Sequence, residues 1–231
     1  MAFAGFLTLD GRRIAYRDSG DDGPVLLVLH GHFGHGAMFE PLADSLVPDW
    51  RVVAPDQRGH GNSDPAPDYD RAGYVADAAY VIEALGLAPA VVLGHSLGGV
   101  NAYQLAARHP KLVRAVIVED APAQLPLRPD FDAWPALPHR SIAPETALAD
   151  MNTSRRLLSG DHWADWLASR HPVLLLHGLE SDTLATAQAR EMATRRPHTR
   201  LVEFPGAGHT IHDDDPEGFA LAVASFLEGL S

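Results

Sequence analysis

The stretch Gly94-His95-Ser96-Leu97-Gly98-Gly99 constrains this chain more than any other. An aliphatic run, Ala90-Val91-Val92-Leu93, precedes it, and an amphipathic stretch from Val100 to His109 follows. A strand must therefore give way to a helix within a few residues. Such a turn crowds neighbouring backbone, and glycine two residues to either side of the serine relieves the clash. A serine there is held out at the end of a sheet, over the positive end of the next helix, which is the sequence form of a nucleophile elbow. Ser96 is a candidate nucleophile. The backbone N–H of Leu97, just after it, is a candidate oxyanion donor.

The rest of the chain supplies the sheet that such a turn needs. Phe6 to Leu9 and Arg12 to Arg17 flank Asp10-Gly11, the pattern of a hairpin. Val25 to His30, Arg51 to Ala54, Val113 to Glu119, Val173 to Leu176 and Arg200 to Phe204 are short, largely aliphatic runs. Continuous runs of this kind are buried on both faces of a parallel sheet. Helical spacing falls between them, over Ala37 to Leu46, Ala72 to Leu85, Ala185 to Thr194 and Pro216 to Leu230. Strands alternating with helices predict an open, mostly parallel α/β sheet. From Pro122 to about His171 the rhythm stops, and prolines with Trp134, Trp163 and Trp166 replace it. This predicts a short helical lid over 122–171, inserted in a core made of 1–121 and 172–231. Trp134, Phe131, Leu125, Leu127, Trp163 and Trp166 are candidates to roof a pocket, and Phe33 and Phe39 to line it. Pinning the lid to the sheet is the simpler role for most of the roof residues.

Composition narrows the partners. Lys and Arg number 18 against 30 Asp and Glu, a net charge of −12, which repels nucleic acid and anionic membrane. A small-molecule substrate is the expected partner, with no nucleic acid and no membrane; oligomeric state stays open. The absence of cysteine excludes disulfides, thiolate metal sites and a cysteine nucleophile. The N-terminus has no basic region followed by a long apolar core, and no apolar run approaches bilayer length. A cytoplasmic protein is the default expectation.

Two further loops carry chemistry. His30-Gly31-His32-Phe33-Gly34 follows a buried strand directly, and such a turn can offer the backbone N–H of His32 as the other oxyanion donor. Fixed dipoles of this kind stabilise a developing oxyanion by about 3–4 kcal/mol each. Gly206-Ala207-Gly208-His209 follows a late strand, so His209 can reach a serine hydroxyl and act as general base. His30, His32 and His35, with His209 and His212, have spacings that also suit a metal. Hydrolytic metal sites need carboxylates beside them, and these histidines stand on turns already needed for the oxyanion and the base. No metal and no cofactor are expected. Asp213-Asp214-Asp215 before Pro216 reads as an acidic helix start.

Asp56-Gln57-Arg58-Gly59-His60-Gly61-Asn62-Ser63 completes the set. With it, the chain resembles the α/β-hydrolase superfamily, where an Asp-x-Arg-Gly-x-Gly-x-Ser loop follows the strand before the elbow. His-Gly after a strand, this loop, the Gly-His-Ser-Leu-Gly-Gly elbow and Pro-Gly-Ala-Gly-His occur in the family's order over almost the whole length. The resemblance implies the α/β-hydrolase fold and a serine hydrolase that forms an acyl-enzyme. A small or medium carboxylic ester is the expected substrate, with lactones and thioesters close behind. A carbon–carbon bond hydrolase, a cofactor-free lyase and a slow-turnover ligand receptor use the same constellation. The family treats the arginine loop as structural, so Asp56 and Arg58 are given no chemistry.

The family also implies a carboxylate to orient the histidine. Its usual place is three residues after the glycine that ends the strand following the lid. That glycine is Gly178, the third residue on is Ser181, which cannot serve, and Asp182 comes one later. Some members carry the acid before the lid, 24 residues past the nucleophile, and Asp120 stands 24 residues after Ser96. Asp120 is slightly preferred and Asp182 stays open; one of the two is a plain loop or cap aspartate. Glu119 and Glu180 are weaker candidates.

Overall fold

A computed structural model describes residues 1–20, 22–125 and 159–230. Its frame is an eight-stranded sheet. The strands are β1 (Ala2–Leu9), β2 (Arg12–Asp18), β3 (Val25–Leu29), β4 (Arg51–Pro55), β5 (Ala90–His95), β6 (Val113–Glu119), β9 (Val173–Gly178) and β10 (Thr199–Phe204). They lie in the order β1-β2-β4-β3-β5-β6-β9-β10. All pairings from β4 to β10 are parallel, and only β1 with β2 and β2 with β4 are antiparallel. The predicted hairpin is there. Leu9 pairs with Arg12, and Asp10 and Gly11 both have positive φ, 51° and 78°, as a two-residue primed turn requires.

The aliphatic runs read as continuous because each strand feeds two layers. Leu27 and Leu29, Val92, Val116 and Val118, Val173 and Leu175 face one core. Leu26 and Val28, Val91 and Leu93, Ala115 and Ile117, Leu174 and Leu176 face the other. The helices are α1 (Glu40–Leu46), α2 (Arg71–Ala84), α3 (Leu97–Arg108), α4 (Trp163–Ala168), α5 (Thr186–Arg195), α6 (Ile211–Asp214) and α7 (Pro216–Glu228). The first layer is covered by α2, α3 and α5, the second by α1 and α7. Among the described residues, no helix is long and apolar enough to cross a membrane.

Several boundaries differ from the sequence reading. The helix expected from Ala37 is a 3-10 turn over Gly36–Phe39 that becomes α-helical at Glu40, with Pro41 in the first turn, where a missing N–H costs nothing. Helix α3 starts at Leu97 rather than Val100, so two glycines of poor helix propensity are helical because close packing demands them there. The short helix α6 was not legible as an element separate from α7. Of the expected lid, the two ends are described: Gln124–Leu125 (β7) pairs antiparallel with Gly160–Asp161 (β8), and α4 follows. Trp134, Phe131 and Leu127 lie outside the described residues. Trp166 is a pin, fully buried, with Nε1 donating to the Met192 carbonyl at 3.1 Å.

The arginine loop is a brace. Arg58 Nε and Nη2 donate to Asp77 at 2.8 and 2.9 Å, and Asp56 accepts from the backbone N–H groups of Gly36 and Asn62 at 2.7 and 2.8 Å.

Among the histidines buried near the carboxyl ends of the strands are His30, His60 and His95. Burial pushes His60 and His95 down to about 4 and His30 well below its ordinary value. In the unfolded chain they titrate near 6.5. Below that pH the unfolded state binds more protons than the native one, so these groups withdraw stability as pH falls. The urea midpoint is expected to drop between about pH 7 and pH 5. In His60→Gln the slope of midpoint against pH over that range should be shallower.

Candidate active site

The strand order sets where the site falls. From β3 the chain runs through α1 to β4 on one side, then through α2 across to β5 on the other. Loops leaving the carboxyl ends of β3 and β5 therefore part in opposite directions and leave a crevice at the switch point. The turn Gly31 to Gly34 and Ser96 flank that crevice.

Ser96 has φ 51° and ψ −113°, a conformation few side-chain-bearing residues adopt. Its surroundings enforce it. A β-carbon on Gly98 would collide with the Leu29 carbonyl, and one on Gly94 would collide with the carbonyl of Gly98. Strand β3, strand β5 and the first turn of α3 are thus in backbone contact, which only glycine permits. The Ser96 N–H donates to the Glu119 carbonyl at 3.0 Å, fixing the turn to β6. Leu97 opens α3, so its N–H belongs to the unsatisfied helix start. A β-carbon on Gly31 would stand 3.3 Å from Ser96 Cβ, so the turn carrying His32 lies against the serine. Phe33 in that turn is half-buried, with φ 63°. Phe39 sits elsewhere, packed in the second core against His212.

The structure separates the two aspartates. Asp120 is fully buried at the end of β6, with φ 45°. Its Oδ2 accepts from His209 Nδ1 at 2.8 Å and from the Ser181 hydroxyl at 2.5 Å. Its Oδ1 accepts from His177 Nδ1 at 3.1 Å. Burial works against its charge, but hydrogen bonds from His177, His209 and the Ser181 hydroxyl together hold its pKa below the ordinary aspartate value. Asp182 is exposed and accepts from the Thr183 hydroxyl at 3.2 Å. His209 Nδ1 goes to Asp120, not to Asp182. Glu119, weighed as an outsider for the same position, is bonded to His212.

With Nδ1–H committed to a carboxylate, His209 carries its lone pair on Nε2, the tautomer a general base requires. The ring is 29 % exposed. Its backbone carbonyl accepts from His95 Nε2 at 3.0 Å, so the residue before Ser96 is bonded to the loop of the histidine. A hydrogen bond from Ser96 Oγ to His209 is not among those of the described residues. Catalytic contacts of this kind tighten on substrate binding.

Three neighbours were not singled out in the sequence. Ser181, set aside as unable to act as the acid, donates its hydroxyl to Asp120 instead. His177 had a visible signal, standing beside Gly178 in the last turn of a buried strand where a polar residue is unusual. Asp214 takes the Gly208 N–H at 2.8 Å and braces the histidine loop, so the acidic run does more than start a helix. The histidine strings do not assemble as metal ligands. His30 spends Nδ1 on the Gly31 carbonyl and Nε2 on the Gln57 N–H. Among the described residues, the cluster with ligand atoms close together is His95, Glu119 and His212.

Residues 24–141 match a family model described as alpha/beta hydrolase fold. A 2-(acetamidomethylene)succinate hydrolase of Mesorhizobium japonicum is 29% identical over 246 residues, covering 89% of this chain and 88% of its own. An sn-1-specific diacylglycerol lipase of Mus musculus is 28% identical, covering 88% of this chain and 81% of its own. Among solved structures, that of E-2-(acetamidomethylene)succinate hydrolase covers 97% of this chain and 100% of its own, with TM-score 0.81 at 28% identity.

Substitution at the elbow should be costly. Gly98→Ala pushes α3 away from the Leu29 carbonyl and is expected to lose about 1–3 kcal/mol or more, read as a fall in the urea midpoint.

Proposed function

The chain belongs to the α/β-hydrolase family, and from that premise we propose that it is a serine hydrolase acting on a small or medium carboxylic ester. Ser96 is the nucleophile, His209 the general base and Asp120 the acid that orients it. The observation that carries this reading is the buried 2.8 Å contact of Asp120 with His209, on a loop bonded to the residue before a serine in strained backbone. A carboxylate held ionised at Nδ1 both sets the tautomer and stabilises the imidazolium that forms.

In the reaction, Ser96 Oγ attacks the ester carbonyl carbon as His209 Nε2 takes the hydroxyl proton. Negative charge gathers on the carbonyl oxygen, facing the backbone N–H groups of Leu97 and His32. Collapse breaks the carbon–oxygen bond, and the leaving alkoxide takes the proton from His209. Water then attacks the acyl-enzyme, His209 takes its proton, and the acid departs with Ser96 reprotonated. Phe33 is the pocket wall nearest the oxyanion turn, and the 122–171 insertion is the cover of the pocket. The substrate is a free small molecule, which suits the acidic surface.

Labelling with a fluorophosphonate followed by peptide mapping tests the nucleophile. One adduct is expected, on Ser96, lost in Ser96→Ala and much slower to form in His209→Ala. Asp120→Asn is expected to lower turnover of p-nitrophenyl butyrate by about 10⁴-fold. Asp182→Asn should leave it near the wild-type rate. The relatives are named for different bonds, so a matched N-acetyl amide belongs in the same assay, and faster turnover of the amide would replace the ester reading.

A further inference from the structure

A second set of polar residues lies beside the first, made of its near neighbours in the chain. His95 precedes Ser96, Glu119 precedes Asp120, and His212 comes three residues after His209. All three are buried. Glu119 Oε1 accepts from the backbone N–H of His212 at 2.9 Å and from its Nδ1 at 2.8 Å, with Oε2 at 3.0 Å from the same nitrogen. The His95 ring is centred 4.8 Å from that of His209 and 5.0 Å from that of His212. Strand β6 is thereby tied to the histidine loop by Glu119, and strand β5 by His95.

The surroundings of Glu119 and His212 favour the charged form of both partners. Burial works against the imidazolium, but the Glu119 charge and hydrogen bond, helped by Asp213 and Asp214, hold the His212 pKa above its ordinary value. Burial works against the carboxylate too, and His212 and His95 together hold the Glu119 pKa below its own. An ion pair so deeply buried is a poor source of stability, because apolar side chains of like volume would serve as well. What it supplies is a geometry with direction and fixed length, and that geometry is placed one residue from Asp120 and three from His209.

We propose that Glu119 and His212 are positioning residues that hold the histidine loop at the height over β6 where His209 Nδ1 meets Asp120. The inference rests on reading Ser96 and His209 as nucleophile and base. A metal ion is the other use for such a cluster, since its ligand atoms lie within 4.8 Å of one another. The hydrogen bonds favour the clasp. His212 Nδ1 is committed to Glu119 and His95 Nε2 to the His209 carbonyl; the nitrogens left for a metal, His95 Nδ1 and His212 Nε2, are buried without a hydrogen-bond partner.

The test measures kcat and KM for p-nitrophenyl butyrate, per active site counted by fluorophosphonate titration. His212→Phe keeps ring volume between Phe39 and Phe219 and removes the donor. It is expected to lower kcat by about 10²-fold, the scale of a misplacement near 1 Å, with KM unchanged. His212→Asn offers an amide N–H to Glu119 and should regain most of the loss. If His212→Phe yields no titratable sites, the double variant Glu119→Gln/His212→Phe, which strands no charge, carries the same expectation. Wild-type kcat per site in the Phe variants, or an Asn variant as slow as the Phe one, overturns the clasp. A Ser96→Ala control that still turns over overturns the underlying hydrolase reading instead.

Discussion

Backbone contact at the elbow is the constraint on which the rest depends. Strand β3 and helix α3 approach so closely at Gly98 that no side chain fits between them. That approach forces Ser96 into its strained conformation and brings the turn after β3 against it. Strain of this kind persists only where the surroundings over-determine it. Here the surroundings are strands with both faces buried, so the energy that holds the turn comes from the two apolar layers.

Electrostatics then decides which groups are charged. The carboxyl ends of the strands gather several histidines, among them His30, His60, His95, His177, His209 and His212. Where no carboxylate is bonded, burial leaves the ring neutral, as at His30, His60 and His95. Where Glu119 stands opposite, burial is overcome at His212. The side chains are of one type; their neighbours assign the charge. Asp120 is held by three donors from two segments of the chain, the end of β9 with the loop after it and the histidine loop.

Much of this was legible in the sequence for physical reasons. Parallel strands buried on both faces must be aliphatic throughout, so their runs stand out. Ser96 between two glycines announces its own turn. Asp120 and Asp182 were both visible as candidates, but which of them bonds His209 was not. Both aspartates stand at strand ends close to the histidine loop, and their difference is one of burial and side-chain direction, which spacing does not encode. Ser181 illustrates the limit. Its residue type excluded it as an acid, while its role as a donor to Asp120 depends on a contact between residues 61 apart in the chain. Helix α6 was missed because Asp213 to Asp215 suits either one helix start or two. The clasp of Glu119 with His212 was hidden for the same reason as Ser181, since nothing local to either residue points to the other.

The short ladder of β7 with β8 has an evolutionary consequence. It ties residues 124–125 to 160–161, so the two ends of the intervening stretch meet whatever its length, at the entropic cost of closing a loop. That cost rises with the logarithm of length, and doubling the stretch would add only about 0.6 kcal/mol. Descendants of this chain could therefore change the length of that stretch at little cost to the ladder or to the sheet behind it.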